Sequence, residues 1–503
     1  MSSPRPIAQA KRITPRAQDF SEWYNDVIVQ AGLADHSPVR GCMVIRPHGF
    51  RLWELMQRAL DDMFKATGHE NAYFPLFIPM SFLAKEAEHI EGFAKEVALV
   101  THTRLRATGK AGAQALEPDP ASALEEPLVV RPTSETIIYA MFAKWIHSYR
   151  DLPVLLNQWC NIVRWELRTR LFLRTTEFLW QEGHTAHATE GEAETEARKM
   201  LGVYRKFQED WAAMPVITGV KTESEKFAGA VRTYAVEALM QDNKALQAGT
   251  SHHLGQNFAT AFGVQFQTAS GGLEYVWNTS WGVSTRMIGG LVMTHGDDNG
   301  LVCPPKLAPV QVVIVPIWKS DEEQERVLST AARVRDELAQ AGLRVTLDGR
   351  LDVKPGAKYF EWEAKGVPLR LEIGPRDLAA GQVMAARRTG GKNPLKLEDI
   401  APRAAAALVD IQATLFQAAR ERREAHSVRG VTKAQFLEFM KGPGGFAYGG
   451  FCGRSDCEGE IKRDTGATIR VLPDPEFRSP EVPKTCMWCG RPSAAEAVWA
   501  QAY

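Results

Sequence analysis

The chain has 503 residues, is 45% hydrophobic and 24% charged, and balances 60 Lys and Arg against 60 Asp and Glu. That length exceeds a single core and implies roughly two to four domains. The zero net charge excludes a wholly electrostatic nucleic-acid binder, so any RNA contact is local and patterned.

In chain order, residues 1–18 form a polar extension without the apolar core of a signal peptide. No apolar run approaches ~18 residues, so no membrane span is expected. Residues 19–30 predict a short helix and 49–67 a stronger one. In the second, Trp53, Met56, Leu60, Met63 and Phe64 recur at helical spacing and Gly68 supplies a stop. The apolar run 73–79 holds Pro75 and Pro79, which restricts it to an edge or interface strand. Residues 105–127, rich in Ala, Gly, Pro and Glu, read as a mobile surface insertion, with order resuming at Val129. The run Arg131-Pro-Thr-Ser-Glu-Thr136 opens a helix candidate over 135–149. There Thr133 and Glu135 point the same way. They suit a ligand ammonium, and they equally suit an N-cap with its first-turn acid.

The richest segment is 157–187. It predicts two strands, the first running 154–167, joined by a loop around 169–173. Period-two alternation puts Arg164, Glu166 and Arg168 on one face of the first strand. It puts Phe178, Trp180, Glu182 and His184 on one face of the second. Paired, the strands present cation, carboxylates, imidazole and aromatic on one surface; the plain alternative is a solvated salt-bridged face. Residues 189–199, rich in Glu and Ala, predict a solvated helix, and helix–strand alternation follows to Trp281. In 247–253, Thr250 and His252 share a face, and Gly249 before them lets backbone approach a ligand. Residues 278–290 read as a strand, a glycine turn and a helix with Arg286 near its first turn. A cation there opposes the helix dipole and makes sense where it and free N–H groups meet an anion such as phosphate.

Pro304-Pro305 marks a sharp boundary. Beyond it, strands at 310–317, 344–347, 369–373 and 382–387 alternate with helices at 321–341 and 357–365, a small α/β domain. Residues 397–426 are mostly helical. Cys452, Cys457, Cys486 and Cys489 then form a CxxxxC and a CxxC pair, the spacing of one tetrahedral Zn2+. Four metal-spaced cysteines among seven fit a reducing cytosol. Cys42, Cys160 and Cys303 read as buried small hydrophobes.

Together these blocks resemble the class II aminoacyl-tRNA synthetases, and among them the prolyl-tRNA synthetases of archaeal/eukaryotic-like type. Residues 49–79 look like motif 1, Arg164-Trp-Glu166 like the core of motif 2, and 282–290 like motif 3. The long ordered matches are Arg131–Thr136, Phe178–His184 and Gly249–Phe258. The resemblance covers the chain from about Asp19 to Tyr503, the 105–127 insertion excepted. It implies an α+β fold: a class II antiparallel-sheet catalytic domain (19–304), an α/β anticodon-binding domain (305–408) and a small zinc-binding α+β domain (409–503). It implies ligation of L-proline to tRNA(Pro) with ATP and Mg2+, a homodimer through motif 1, a structural Zn2+ and a cytoplasmic location.

The resemblance assigns ATP to Arg164, Glu166, Arg174, Thr175, Gln247, Ser284 and Arg286. It assigns proline to Thr133, Glu135, Arg164, Trp180, Glu182, His184, Thr250 and His252. Arg164 and Arg286 carry the catalytic charge neutralisation, and no general base is required. Lys354, Lys358, Lys365, Arg370 and Arg376 give the anticodon domain local basic character, with Glu361 or Trp362 placed to meet bases. In such relatives the terminal carboxylate, here of Tyr503, tucks toward the active site; a frayed tail is the alternative. Residues 189–272 leave no room for an editing insertion of ~100–200 residues. A sister enzyme for threonine, histidine or glycine, and a non-catalytic paralogue, are the rival readings. The paralogue is disfavoured because Arg164, Glu166 and Arg286 are all present.

Overall fold

The computed structural model describes residues 13–84 and 97–503; the start of the N-terminal extension, 1–12, lies outside the described residues. Asp19 caps the helix Phe20–Gln30 by accepting from two backbone N–H groups, and Pro47 starts the helix Pro47–Ala66. Gly68, at φ 88°, ends that helix in a conformation only glycine adopts freely.

An eleven-stranded sheet organises the molecule. Its order is Ser427–Arg429, Phe446–Phe451, Ala495–Ala500, Thr468–Pro473, Val216–Val220, Arg232–Leu239, Ala245–Gly255, Trp277–Ser284, Glu177–His187, Val154–Val163, Glu70–Asn71. From Val154–Val163 to Thr468–Pro473 every pairing is antiparallel. One face packs on the helix Glu190–Asp210, opened by a Thr189–Glu192 capping box. This helix is not simply solvated, as the 189–199 stretch suggested. It continues to Asp210 and buries Ala193, Ala197, Met200, Tyr204 and Phe207, a helical stripe against the sheet. Phe64, Tyr204 and Trp281 interlock on that side. Gly183 makes room for Trp281: a Cβ there would stand 2.0 Å from the indole.

The sheet passes without a break into the C-terminal region. Val216–Val220 pairs with Thr468–Pro473, and a Cβ on Gly219 would stand 2.1 Å from the Leu472 carbonyl. Beneath the seam, buried Glu237 accepts from Lys221 Nζ at 2.8 Å and from both nitrogens of a bidentate Arg470 at 2.9–3.1 Å. The second domain is a five-stranded sheet in the order Val345–Leu347, Val312–Pro316, Leu369–Ile373, Gln382–Arg387, Lys392–Lys396. The last strand escaped the sequence reading, because a charged, proline-bearing edge carries no apolar alternation. The helix Ile400–Ala425 spans the domains. Ile400, Ala404 and Leu408 enter the second core, whereas Ile411 and Leu415 pack with Ala213 and Val302. The expected 408/409 boundary therefore falls inside one continuous helix.

Other expectations need correction. Residues 105–127 are not a featureless loop. They contain the hairpin Leu105–Ala107 with Leu116–Pro118 and enter the strand Ala123–Val130, whose exposed positions hid the pattern. Only Phe77–Pro79 of the 73–79 run is strand, and it does lie at a sheet edge. Gly282 lies within a strand rather than in a turn. Cys303 is buried, but Cys42 and Cys160 are only partly so.

Candidate active site

A cleft of about 450 Å3 opens on the sheet face opposite the Glu190–Asp210 helix. Its floor is a grid set by strand register. Glu182 lies across from Gly282, and Gly282 from Thr250; His184 lies across from Ser280, and Ser280 from His252; Trp180 lies across from Ser284. Three antiparallel strands in this register bring three rows of side chains to one surface. Gly282 keeps the middle row low between Glu182 and Thr250.

At one end His184 Nε2 donates to Glu182 Oε2 at 3.0 Å, and Gln158 Nε2 donates to Oε1 at 2.9 Å, joined by the Ser134 hydroxyl. Both members of the pair are buried. Burial alone would neutralise each, but the contact reverses the outcome: His184 is shifted above its ordinary value and Glu182 below its own. His252 goes the other way, to about 3, through burial and the nearby His184 charge; its Nδ1 lies 2.9 Å from the Thr233 hydroxyl. Thr133 donates to the buried Glu135 carboxylate at the first turn of the helix Glu135–Trp145. Ser134, the residue at the N-cap, makes no side-chain cap bond. The Trp180 indole donates to Cys160 Sγ at 3.1 Å, fixing the aromatic wall.

Toward the other end stand two half-buried guanidinium groups. Arg164 Nε donates to the Pro132 carbonyl at 2.9 Å and lies over the Trp180 ring at 5.3 Å. Burial lowers it to about 10, with Glu135 holding it up and Arg286 pushing it down. Arg286 Nε donates to the Leu173 carbonyl at 3.0 Å, and Ser284 Oγ accepts from the Arg286 N–H at 3.2 Å. Two like charges lining one cleft suit an anionic ligand placed against both.

Thr133, Glu135, Arg164, Trp180, Glu182, His184, Gln247, Thr250, His252, Ser284 and Arg286 all line this one cleft. Glu166, Arg174 and Thr175 do not. The first strand ends at Val163, so Arg164, Glu166 and Arg168 are not a strand face; Arg164 N–H bonds to the Thr176 carbonyl and the chain leaves the sheet. Out in that loop Arg174 Nε pairs with Glu166 at 2.9 Å. Thr175 is buried, its hydroxyl donating to the Glu177 carbonyl at 2.8 Å. Gly249 serves packing as well as access, because a Cβ would press on Val283 and Tyr204 at 3.1–3.2 Å. Ser280 and the 225–228 wall went unremarked in the sequence. Alternation from Ser284 back through Gly282 reaches Ser280, whereas Glu225–Ala228 comes from a loop with no periodic signal.

In the C-terminal region, the four Sγ atoms of Cys452, Cys457, Cys486 and Cys489 lie within 4.8 Å of one another, with Cys457 and Cys486 3.8 Å apart. Four thiolates at about 2.3 Å around a tetrahedral Zn2+ stand about 3.8 Å from each other, so the tetrad fits that ion. Burial opposes the Cys486 thiolate, but surrounding donors, led by the Cys489 N–H, outweigh it and bring the thiol to about 7. Tyr503 is not frayed: its N–H bonds to the Ala245 carbonyl at 3.1 Å and its hydroxyl to Asp242 at 2.6 Å. In the second domain Lys358 adds nothing to the expected surface basic character, being buried and donating to the Asp348 carbonyl at 3.0 Å. The Trp362 indole donates to Asp348 at 2.8 Å.

This antiparallel sheet, with an arginine-lined cleft and an appended α/β domain, defines a class II aminoacyl-tRNA synthetase architecture. Residues 119–295 match the class II core domain of the G, H, P, S and T synthetases, residues 311–405 an anticodon-binding domain, and residues 434–503 the prolyl-tRNA synthetase C-terminal domain. Among similar proteins, the proline–tRNA ligase of Porphyromonas gingivalis is 53% identical over 98% of this chain and 99% of its own length. The proline–tRNA ligase 2 of Anaeromyxobacter dehalogenans is 54% identical over 97% and 98%, and the proline–tRNA ligase of Chlorobium phaeobacteroides 54% over 98% and 100%. The chain belongs to the proline–tRNA ligase family.

Proposed function

We propose that this chain activates L-proline with ATP and transfers it to the 3′ end of tRNA(Pro), in the cleft described above. The observation that carries the reading is the charge layout of that cleft. One end offers carboxylates and an aromatic wall, and the other offers two half-buried arginines. A secondary ammonium on an apolar ring suits the first, with Glu135, Thr133, Trp180, Glu182, His184, Thr250 and His252 around it. Glu182 is already matched by His184, which leaves Glu135 as the countercharge for the ammonium. The phosphates suit the second end: Arg164 at the α-phosphate and proline carboxylate, Arg286 and Ser284 at the terminal phosphates. Gln247 lies beside them, and Glu166, Arg174 and Thr175 flank the adenine side once the 164–176 loop folds over the nucleotide.

The proline carboxylate oxygen attacks the α-phosphorus in line and pyrophosphate leaves. The terminal ribose hydroxyl of the tRNA then attacks the prolyl carbonyl, and AMP leaves. Positioning and charge neutralisation supply the acceleration. Mg2+, bound with ATP, would share the phosphate charge. Zn2+ in the thiolate tetrad would be structural, since four cysteines leave no open position.

Among the described residues no helix is long and apolar enough to cross a membrane, and we take the site of action to be the cytoplasm. Exposed Tyr73 and Phe77 in the motif 1 segment support a homodimer there, which light scattering tests. Between the strands Glu177–His187 and Trp277–Ser284 the long helix and further sheet strands occupy the chain. We therefore expect no hydrolysis of Ala-tRNA(Pro) in cis, and rapid enzyme-dependent deacylation would contradict this. Charging of tRNA(Pro) transcript with proline by the purified protein tests the main reading, and its absence would overturn it.

A further inference from the structure

The loop 221–231, between the strands Val216–Val220 and Arg232–Leu239, supplies Glu225, Lys226, Phe227 and Ala228 to the cleft wall. The Phe227 ring lies 4.7 Å from that of His252, at the carboxylate-rich end. The other side of this loop is held by the C-terminal region. Thr222 Oγ1 donates to Glu458 Oε1 at 2.9 Å, Ser224 Oγ donates to Glu458 Oε2, and Lys462 Nζ pairs with Glu225 at 3.3 Å. Glu458 and Lys462 stand one turn apart on the helix Ser455–Thr465, which also carries Cys457 of the thiolate tetrad. Glu458 is only 4% exposed, and each of its oxygens takes a hydroxyl from the loop. A buried carboxylate left unpaired is costly, so the loop cannot swing away without stranding it.

We infer that Glu458 is a positioning residue for the amino-acid end of the cleft: through Thr222 and Ser224, the thiolate-bearing helix holds the 221–231 loop, and with it Phe227, in the shape that receives the substrate ring. This rests on the assignment of proline to that end. The loop is thus clamped from the C-terminal region, which otherwise contributes no wall to the cleft.

The test is ATP–pyrophosphate exchange with proline and ATP varied separately in Glu458→Ala, Glu458→Gln, Ser224→Ala and Phe227→Ala, with zinc content and tryptic cleavage after Lys226 as readouts independent of activity. The expected result for Glu458→Ala is a proline KM raised on the order of tenfold, the scale of a lost hydrogen bond to a charged group. ATP KM and zinc content should be unchanged and cleavage after Lys226 faster, with Glu458→Gln and Ser224→Ala intermediate. If Glu458→Ala fails to fold or loses zinc, Ser224→Ala carries the test from the loop side. A raised proline KM in Phe227→Ala with unmoved KM and cleavage in the Glu458 and Ser224 variants would overturn the clamp alone. An unmoved proline KM in Phe227→Ala would instead overturn the assignment of proline to that end.

Discussion

Replacing Glu135 by Gln removes the one carboxylate lining the cleft that, among the described residues, forms no ion pair with a protein cation, whereas Glu182 pairs with His184 and Glu225 with Lys462. Gln keeps the size and still accepts from Thr133, so the change isolates charge. A hydrogen bond to a charged partner is worth about 1.5–3 kcal/mol. At 1.36 kcal/mol per tenfold, kcat/KM for proline should fall by about 10- to 150-fold. The cost to folding is smaller, because the loss at the first turn of the helix Glu135–Trp145 is about 0.3–1 kcal/mol of dipole interaction. The assay is proline-dependent ATP–pyrophosphate exchange with ATP and proline varied in turn, alongside a thermal melt. Tetrahydro-2-furoate, the ring ether lacking the ammonium, should inhibit wild type and variant alike. An unchanged proline KM, or equal rises in proline and ATP KM, would refute the placement of the ammonium beside Glu135.

Further outcomes follow from the same geometry. Gly183→Ala should lower the thermal midpoint by about 5 °C or more, since a Cβ would press on an indole locked by Phe64 and Tyr204; a melt within 1 °C of wild type would contradict that packing. Cys486→Ala should remove about one zinc per chain and unfold the C-terminal region; metal analysis and circular dichroism check it. The Glu182–His184 pair should carry a pH signature. His184 titrates above its ordinary 6.5 in the folded chain, so its protonation stabilises fully below that value and loses effect as pH rises through the folded value. Glu182 titrates below 4.5, so its contribution is present above that value and fades on acidification. The melting difference between wild type and His184→Gln should therefore be larger at pH 6 than at pH 9, and a flat difference would remove the ion pair.

The cleft was legible where a strand is buried on one face and faces the cleft on the other. There period-two alternation alone grouped Trp180, Glu182 and His184, and paired Thr250 with His252. The same rule failed at Arg164, Glu166 and Arg168, because alternation of charged residues does not reveal where a strand stops pairing. Composition hid the 105–127 hairpin and the Lys392–Lys396 edge for a related reason: exposed strands need no apolar period. The seam between Val216–Val220 and Thr468–Pro473 was invisible, since it joins segments far apart in the chain through backbone pairing at Gly219. The loop carrying Phe227 is tied to its neighbouring strands through Thr233 and His253 and, by a contact between segments far apart in the chain, to the C-terminal region through Glu458.

The most direct test of the account is ATP–pyrophosphate exchange by the purified, zinc-loaded protein across proline, alanine, cysteine, threonine, histidine and glycine. Exchange driven most strongly by proline is the predicted result. Preferential exchange with another amino acid would contradict the assignment of the cleft, and no exchange with any of them would contradict activation itself.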